Sequence, residues 1–196
     1  MTNVVKAGAD YLHIDVMDGH YVPNISFGPN IVKSIRSITS KTLDVHLMIS
    51  PVRQHINNFV KAGANIISFH PEADSNPKRT IETIKELNCK CGIAIHPKIK
   101  LKDIEKYMHL VDIIIIMTVV PGFGGQSFMK NQLSKISKLK ELRTKNNLKF
   151  EIEIDGGINE KTSRLCIKKG ADVLVAGSYI YNAPKSQYKK LIDSLR

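Results

Sequence analysis

The stretch V-V-K-A-G-A-D-Y-L-H-I-D-V-M-D-G, Val4–Gly19, holds the pattern that decides the fold. A helical segment runs into Gly8, a residue suited to the left-handed turn that closes a helix. Ala9 and Asp10 then lead into a short apolar strand, Tyr11–Val16. The same junction recurs twice: Gly63-Ala64-Asn65 precedes the run Ile66–His70, and Gly170-Ala171-Asp172 opens the run Asp172–Ala176. Three copies of one helix-to-strand junction predict repeated β/α units. Repeated units of that kind imply a parallel sheet with right-handed crossovers.

Four further runs complete the rhythm: Thr42–Met48, Cys91–Ile95, Asp112–Thr118 and Phe150–Asp155. All are short and mostly apolar on both faces, as parallel strands covered by helices should be. Between them, Val52, Ile56, Phe59 and Val60 fall at helical spacing, as do Ile81, Ile84 and Leu87, and Leu133, Ile136, Leu139 and Leu142. The class is therefore α/β, either an open doubly wound sheet or a closed parallel β/α (TIM) barrel. A nucleotide-binding open sheet would carry G-x-G-x-x-G after its first strand. Here the glycine-rich turns come late instead, at Gly122–Gly125, Gly156–Gly157 and Gly177. Late β/α loops are where barrels grip phosphate, so the barrel is the expected architecture.

The 196 residues, 42% of them apolar, suit one domain over 1–196. No apolar run reaches the roughly 18 residues of a membrane span. Met1–Ala9 lacks the basic-then-apolar order of a signal peptide, and a cytoplasmic protein is expected. Cys89, Cys91 and Cys166 form no C-x-x-C pair and read as reduced thiols. The net charge of +11 comes from lysines scattered over separate helices. Only Lys135–Lys149 is dense, and it has no interleaved aromatic residues, so a solvated basic face is favoured over a nucleic-acid surface.

Chemistry gathers at strand ends. His13 and Asp15 lie two apart in one strand, so both side chains share a face with Met17. Asp44, His46 and Met48 repeat the arrangement in L-D-V-H-L-M, and Glu151, Glu153 and Asp155 share a face before D-G-G. Polar groups facing a barrel lumen are costly without partners. His13, Asp15, His46 and Asp155 together form a first shell suited to one divalent ion: zinc, iron(II) or manganese, with cobalt possible. Asp155-Gly156-Gly157 and Ala176-Gly177-Ser178 offer backbone N–H groups on consecutive strands for a phosphate. The loop Val120–Phe128 carries Gly122, Phe123, Gly124 and Gly125 and has the composition of a mobile lid, with Phe123 expected to be buried. Met17, Met48 and Met117 either line the substrate slot or fill the core. His70 and His96 each precede a proline and are left out of the site.

His13–Gly28, Asp44–Met48, Met117–Phe128, Glu153–Ile158 and Ala176–Ser178, taken in order, resemble the ribulose-phosphate 3-epimerases along essentially the whole chain. The resemblance implies a barrel of the ribulose-phosphate-binding type. It also implies a pentose-phosphate-pathway isomerase that interconverts D-ribulose 5-phosphate and D-xylulose 5-phosphate at C3 through an enediolate. Asp15 and Asp155 would be the acid/base pair and, with His13 and His46, the metal ligands. His46, Gly122–Gly125, Asp155–Gly157, Gly177 and Ser178 would contact the sugar phosphate, with Met17, Met48 and Met117 near the reacting carbons. A hexulose-phosphate 3-epimerase of the same barrel type and a non-catalytic remnant are the alternatives. The expected partner is a small sugar phosphate, with neither nucleic acid nor membrane, and the expected assembly is a homo-oligomer, a dimer or higher.

Seven strands fall one short of a barrel's eight. The family's first strand, with its S-I-L-S-type motif, has no match here. Tyr11–Val16 is therefore expected in the second barrel position, leaving a vacant first position, bare edges on the strands at Tyr11–Val16 and Asp172–Ala176, and a weaker, less active barrel.

Overall fold

The computed structural model describes residues 1–196. Seven strands carry the fold: β1 (Tyr11–Met17), β2 (Thr42–Met48), β3 (Ile66–Phe69), β4 (Lys90–Ile95), β5 (Ile113–Met117), β6 (Glu151–Asp155) and β7 (Val173–Val175). Their order in the one sheet is their order in the chain, and every neighbouring pair is parallel. Helices α1 (Thr2–Lys6), α2 (Pro29–Arg36), α3 (Ile56–Lys61), α4 (Pro77–Glu86), α5 (Leu133–Lys145), α6 (Glu160–Lys169), α7 (Ser178–Tyr181) and α8 (Tyr188–Asp193) lie along it. Between β4 and β5 the crossover has only two short 3-10 turns, Leu101–Asp103 and Glu105–Tyr107, in place of an α-helix.

Local chemistry explains the element ends. Pro29 and Pro77 open α2 and α4 from the first turn, where a missing N–H costs nothing. The side chains of Asn76 and Asn159 accept backbone N–H groups at the starts of α4 and α6. Gly8, Gly63 and Gly170 take φ of +102°, +103° and +112°, the left-handed turn that the repeated tripeptide predicts.

Period two divides the strands into an outer and an inner face. Outward go Leu12, Ile14, Val16, Leu43, Val45, Leu47, Ile67, Phe69, Ile93, Ile114, Ile116, Ile152 and Ile154, all buried in one large core under the helices. Each such side chain is worth roughly 1.5–3 kcal/mol when fully buried, so this layer holds the barrel together. Inward go His13, Asp15, Asp44, His46, Glu153 and Asp155, together with Ala94, Ile115 and Met117, which form a small separate apolar cluster. The lumen is tight around β4: a Cβ at Gly92 would stand 2.5 Å from Ile113 and 2.8 Å from Ser68. Cys89, Cys91 and Cys166 are all buried and free, and no helix is long and apolar enough to cross a membrane.

The seven strands expected from sequence are the seven observed. The further expectation, a missing first strand with a vacant place in the barrel, is not borne out. The sheet curls into a nearly closed barrel, and the seam between β1 and β7 is spanned by other parts of the chain. The Arg196 guanidinium reaches the Gly8 carbonyl and the Asp10 carboxylate, both at 2.8 Å. Tyr181 donates to the Met1 sulfur at 3.3 Å, and α1 packs on α8. Beneath this bridge lies a largely apolar cavity of about 470 Å³.

Candidate active site

Strand register builds the site. In β1 and β2, His13 pairs with Asp44, Asp15 with His46, and Met17 with Met48, so two strands present matched polar layers to the lumen. On the other side Met117 of β5 pairs with Asp155 of β6, and Asp155 with Val175 of β7. The curl of the sheet then brings β6 towards β1. His13, Asp15, His46 and Asp155 converge, with ligand atoms all within 4.8 Å of one another. Asp15 and Asp155 do not face each other across the full width of the barrel: only β7 and the seam separate their strands on one side.

The ring nitrogens point to a metal-ready arrangement. His13 Nδ1 lies 2.6 Å from Asp44 Oδ2 and 3.1 Å from Glu153 Oε1. With Nδ1–H donated to Asp44, Nε2 is the nitrogen left to face an ion. That nitrogen is buried without a hydrogen-bond partner, 3.3 Å from Asp15 Oδ1 and 3.9 Å from Asp155 Oδ2. His46 turns Nδ1 to the same place, 3.1 Å from Asp15 Oδ1 and 3.8 Å from Asp155 Oδ2. Two imidazole nitrogens and two carboxylates around one point fit a divalent cation, with Asp44 holding His13 from behind. His13, Asp44 and Glu153 form a second cluster, but 2.6 Å between Nδ1 and Oδ2 is a hydrogen bond and leaves no room for an ion.

Burial and neighbours split the carboxylates. Burial works against ionising Asp15, yet the neighbouring imidazoles of His13 and His46 hold it well below the usual carboxylate range. Burial, reinforced by the charge of Asp15, pushes Asp155 up to about 6. Burial and the nearby Asp44 push Glu153 up to about 8. Burial lowers His13, but the surrounding carboxylates of Asp44, Asp15 and Glu153 carry it well above its ordinary value.

Above the cluster sits a cavity of about 110 Å³, lined by Asp15, Met17, Met48, Met117, Asp155 and the glycine-rich turns. Gly122–Gly125, Gly156, Gly157, Gly177 and Ser178 all reach it. Met48 and Met117 are buried, so the two readings of the methionines merge: they fill the lumen and floor the cavity. Thr118 and Thr162 donate to the carbonyls of Gly156 and Gly157 and fix the D-G-G turn. The N–H groups of Gly157 and Gly177 donate to no other backbone group. A Cβ at Gly157 would press on the Phe128 backbone at 2.7 Å, whereas one at Gly177 would meet nothing within 4 Å.

The loop Val120–Phe128 is tied by Gln126, whose amide donates to the Val120 and Phe123 carbonyls at 2.6 and 2.8 Å. Asn24 donates to the Gly122 carbonyl at 2.8 Å and joins this loop to the one after β1. Phe123 is not buried, as the sequence had implied, but 55% exposed. It stands at the loop tip between glycines, with no layer above it to pack on.

Three participants carried no assigned role in the sequence reading. Asp44 and Glu153 share lumen faces with His46 and Asp155 at period two, a visible signal, but their depth depends on the curl. His70 had been set aside because Pro71 follows it. It is fully buried, with Nε2 3.1 Å from His46 Nε2. Burial, and to a lesser extent the nearby His46, lowers it to about 4, although Glu72 opposes the shift. His96 lies outside the cluster.

The family model of the ribulose-phosphate 3-epimerase family matches residues 1–181. The chain is 46% identical to the ribulose-phosphate 3-epimerase of Bacillus subtilis strain 168 over 195 residues, covering 99% of this chain and 89% of the relative. It is 42% identical to the enzyme of that name from Escherichia coli K12, over 98% of this chain and 85% of the relative. Among solved structures, 3-keto-L-gulonate-6-phosphate decarboxylase from Vibrio cholerae superposes with a TM-score of 0.74 at 19% identity, covering 100% of this chain and 86% of that one. The 3-hexulose-6-phosphate synthase of Salmonella typhimurium gives 0.71, also at 19%, with 100% and 90% covered. At such identities these two structures speak for the barrel alone.

Proposed function

The chain belongs to the ribulose-phosphate 3-epimerase family, and from that premise we propose that it interconverts D-ribulose 5-phosphate and D-xylulose 5-phosphate with one divalent metal ion. The observation that carries this reading is the convergence of His13, Asp15, His46 and Asp155 beneath a cavity walled by methionines and glycine turns.

Inverting C3 requires one group to take its proton from one face and another to return a proton to the opposite face. Asp15, held ionised by His13 and His46, takes the C3 proton. The C3–H electrons move into a C2–C3 double bond, and the C2 carbonyl oxygen gains the negative charge of an enediolate. Asp155, whose pKa burial raises to about 6, is the group that delivers a proton to the other face of C3. The reverse reaction exchanges the two roles, and solvent resets both carboxyls. A bound divalent ion, held by His13, Asp15, His46 and Asp155, supplies Lewis-acid stabilisation of the negative charge on the substrate oxygens.

Met17, Met48 and Met117 give the planar carbons an apolar, water-poor bed. Gly157, Gly177 and Ser178 place backbone donors where the phosphate ends, and the loop at Gly122–Gly125 closes over the sugar. The test is a coupled assay for xylulose 5-phosphate formed from ribulose 5-phosphate, run before and after chelation. Turnover that falls on chelation and returns with added metal is expected. No turnover with stoichiometric metal, or full turnover without it, would overturn the reading.

A further inference from the structure

Resting on the metal site proposed above, the second inference concerns what lies behind His46. This ring is fully buried, and its two nitrogens face opposite ways. Nδ1 looks into the cluster, 3.1 Å from Asp15. Nε2 looks away, 3.1 Å from Nε2 of His70. Two ring nitrogens at that distance cannot both carry hydrogen, nor can both lack it without leaving buried lone pairs opposed. The direction of this one hydrogen bond therefore decides which nitrogen of His46 can ligate.

The remaining partners of His70 decide the direction. His70 ends β3 and is covered by Tyr21, ring centroids 4.9 Å apart. Its Nδ1 makes no hydrogen bond of good geometry, and the nearest acceptor it faces is Glu72 Oε1 at 3.4 Å. Glu72 in turn accepts the Tyr21 hydroxyl at 3.0 Å. A carboxylate in that place can only accept, so Nδ1 of His70 carries the hydrogen and its Nε2 presents a lone pair. His46 must then donate from Nε2 and keep Nδ1 free for the ion. We propose that His70 and Glu72 are positioning residues that fix the tautomer and orientation of the ligand His46, with Tyr21 steadying both. His13 is set directly by Asp44 within the lumen. His46 is set through a neutral imidazole, which leaves the second carboxylate at the half-buried Glu72, away from the reacting centre.

The test uses the full chain with zinc as the probe ion, its affinity read by competition with a chelating dye. His70→Leu should weaken zinc binding roughly 10- to 100-fold, the usual effect of losing such a partner. His70→Gln, whose side-chain carbonyl can still accept from His46, should recover most of the loss. Nitrogen-15 spectra of the zinc-loaded wild type should show hydrogen on Nε2 of His46 and on Nδ1 of His70. If His70→Leu does not fold, Glu72→Ala carries the test: mixed His70 tautomers and several-fold weaker zinc binding are expected. Unchanged affinity in His70→Leu or Glu72→Ala, or hydrogen on Nε2 of His70, would overturn the proposal and leave the metal site standing. A wild type that binds no zinc, iron or manganese would overturn both.

Discussion

Asp15 on β1 and Asp155 on β6 bring their carboxylates into one cluster no more than 4.8 Å across, although their strands are not neighbours. Their surroundings drive them apart in protonation, Asp15 down under two imidazoles and Asp155 up under burial and the charge of Asp15. In the proposed reaction Asp15 is the base and Asp155 the acid at one carbon. Asp15→Asn and Asp155→Asn should each reduce turnover by at least about 100-fold, the worth of a positioned acid or base. Metal content measured on the same samples separates lost chemistry from lost metal. Near-normal turnover in either variant would remove that residue from the acid/base pair.

The buried carboxyl of Glu153 makes stability depend on pH in protein stripped of metal. Its pKa of about 8 in the folded chain stands above the ordinary 4.5. The folded state therefore keeps a proton that the unfolded chain has released. The contribution of Glu153 is full below about 4.5 and is lost as pH rises towards 8. Asp155, raised to about 6 from 3.8, acts in the same direction. Denaturant midpoints should fall between pH 6.5 and pH 8, above the range in which the lowered His70 opposes the trend, and Glu153→Gln should make that fall shallower. A wild-type midpoint that is flat or rising across this range would contradict the burial argument.

Gly177 offers a test of phosphate recognition that leaves the fold alone. Its φ is not left-handed, and a Cβ there meets nothing within 4 Å. Gly177→Val should therefore fold normally while filling the side of the cavity where the phosphate is placed. The Michaelis constant for ribulose 5-phosphate should rise at least about tenfold, as expected for loss of about 1.4 kcal/mol of binding. An unchanged constant in a folded variant would place the phosphate elsewhere.

Most of this was legible in the chain because the signals are local. The Gly-Ala-Asp and Gly-Ala-Asn junctions mark helix ends, and period two along Tyr11–Met17 and Thr42–Met48 assigns side chains to the lumen or the outer layer. The cavity gathers the expected methionines and glycines because each follows or ends a strand. What sequence left hidden depends on curvature. Neither the approach of β6 to β1 nor the bridging of the seam by Arg196 and Asp10 leaves a mark in the spacing of residues. His70 was set aside for its proline, yet the extended backbone at φ −87° and ψ 116° that a following proline favours accompanies its place behind His46. Phe123 misled in the other direction, since an aromatic among glycines reads as packed until nothing is found above it.

The central claim is that a proton leaves C3 on one side and another arrives on the opposite side, through Asp15 and Asp155. Proton NMR of D-ribulose 5-phosphate turned over by the metal-loaded chain in heavy water tests it most directly. The account predicts xylulose 5-phosphate carrying deuterium at C3, and no such product from Asp155→Asn that retains its metal. Product that keeps its original hydrogen at C3 would contradict it.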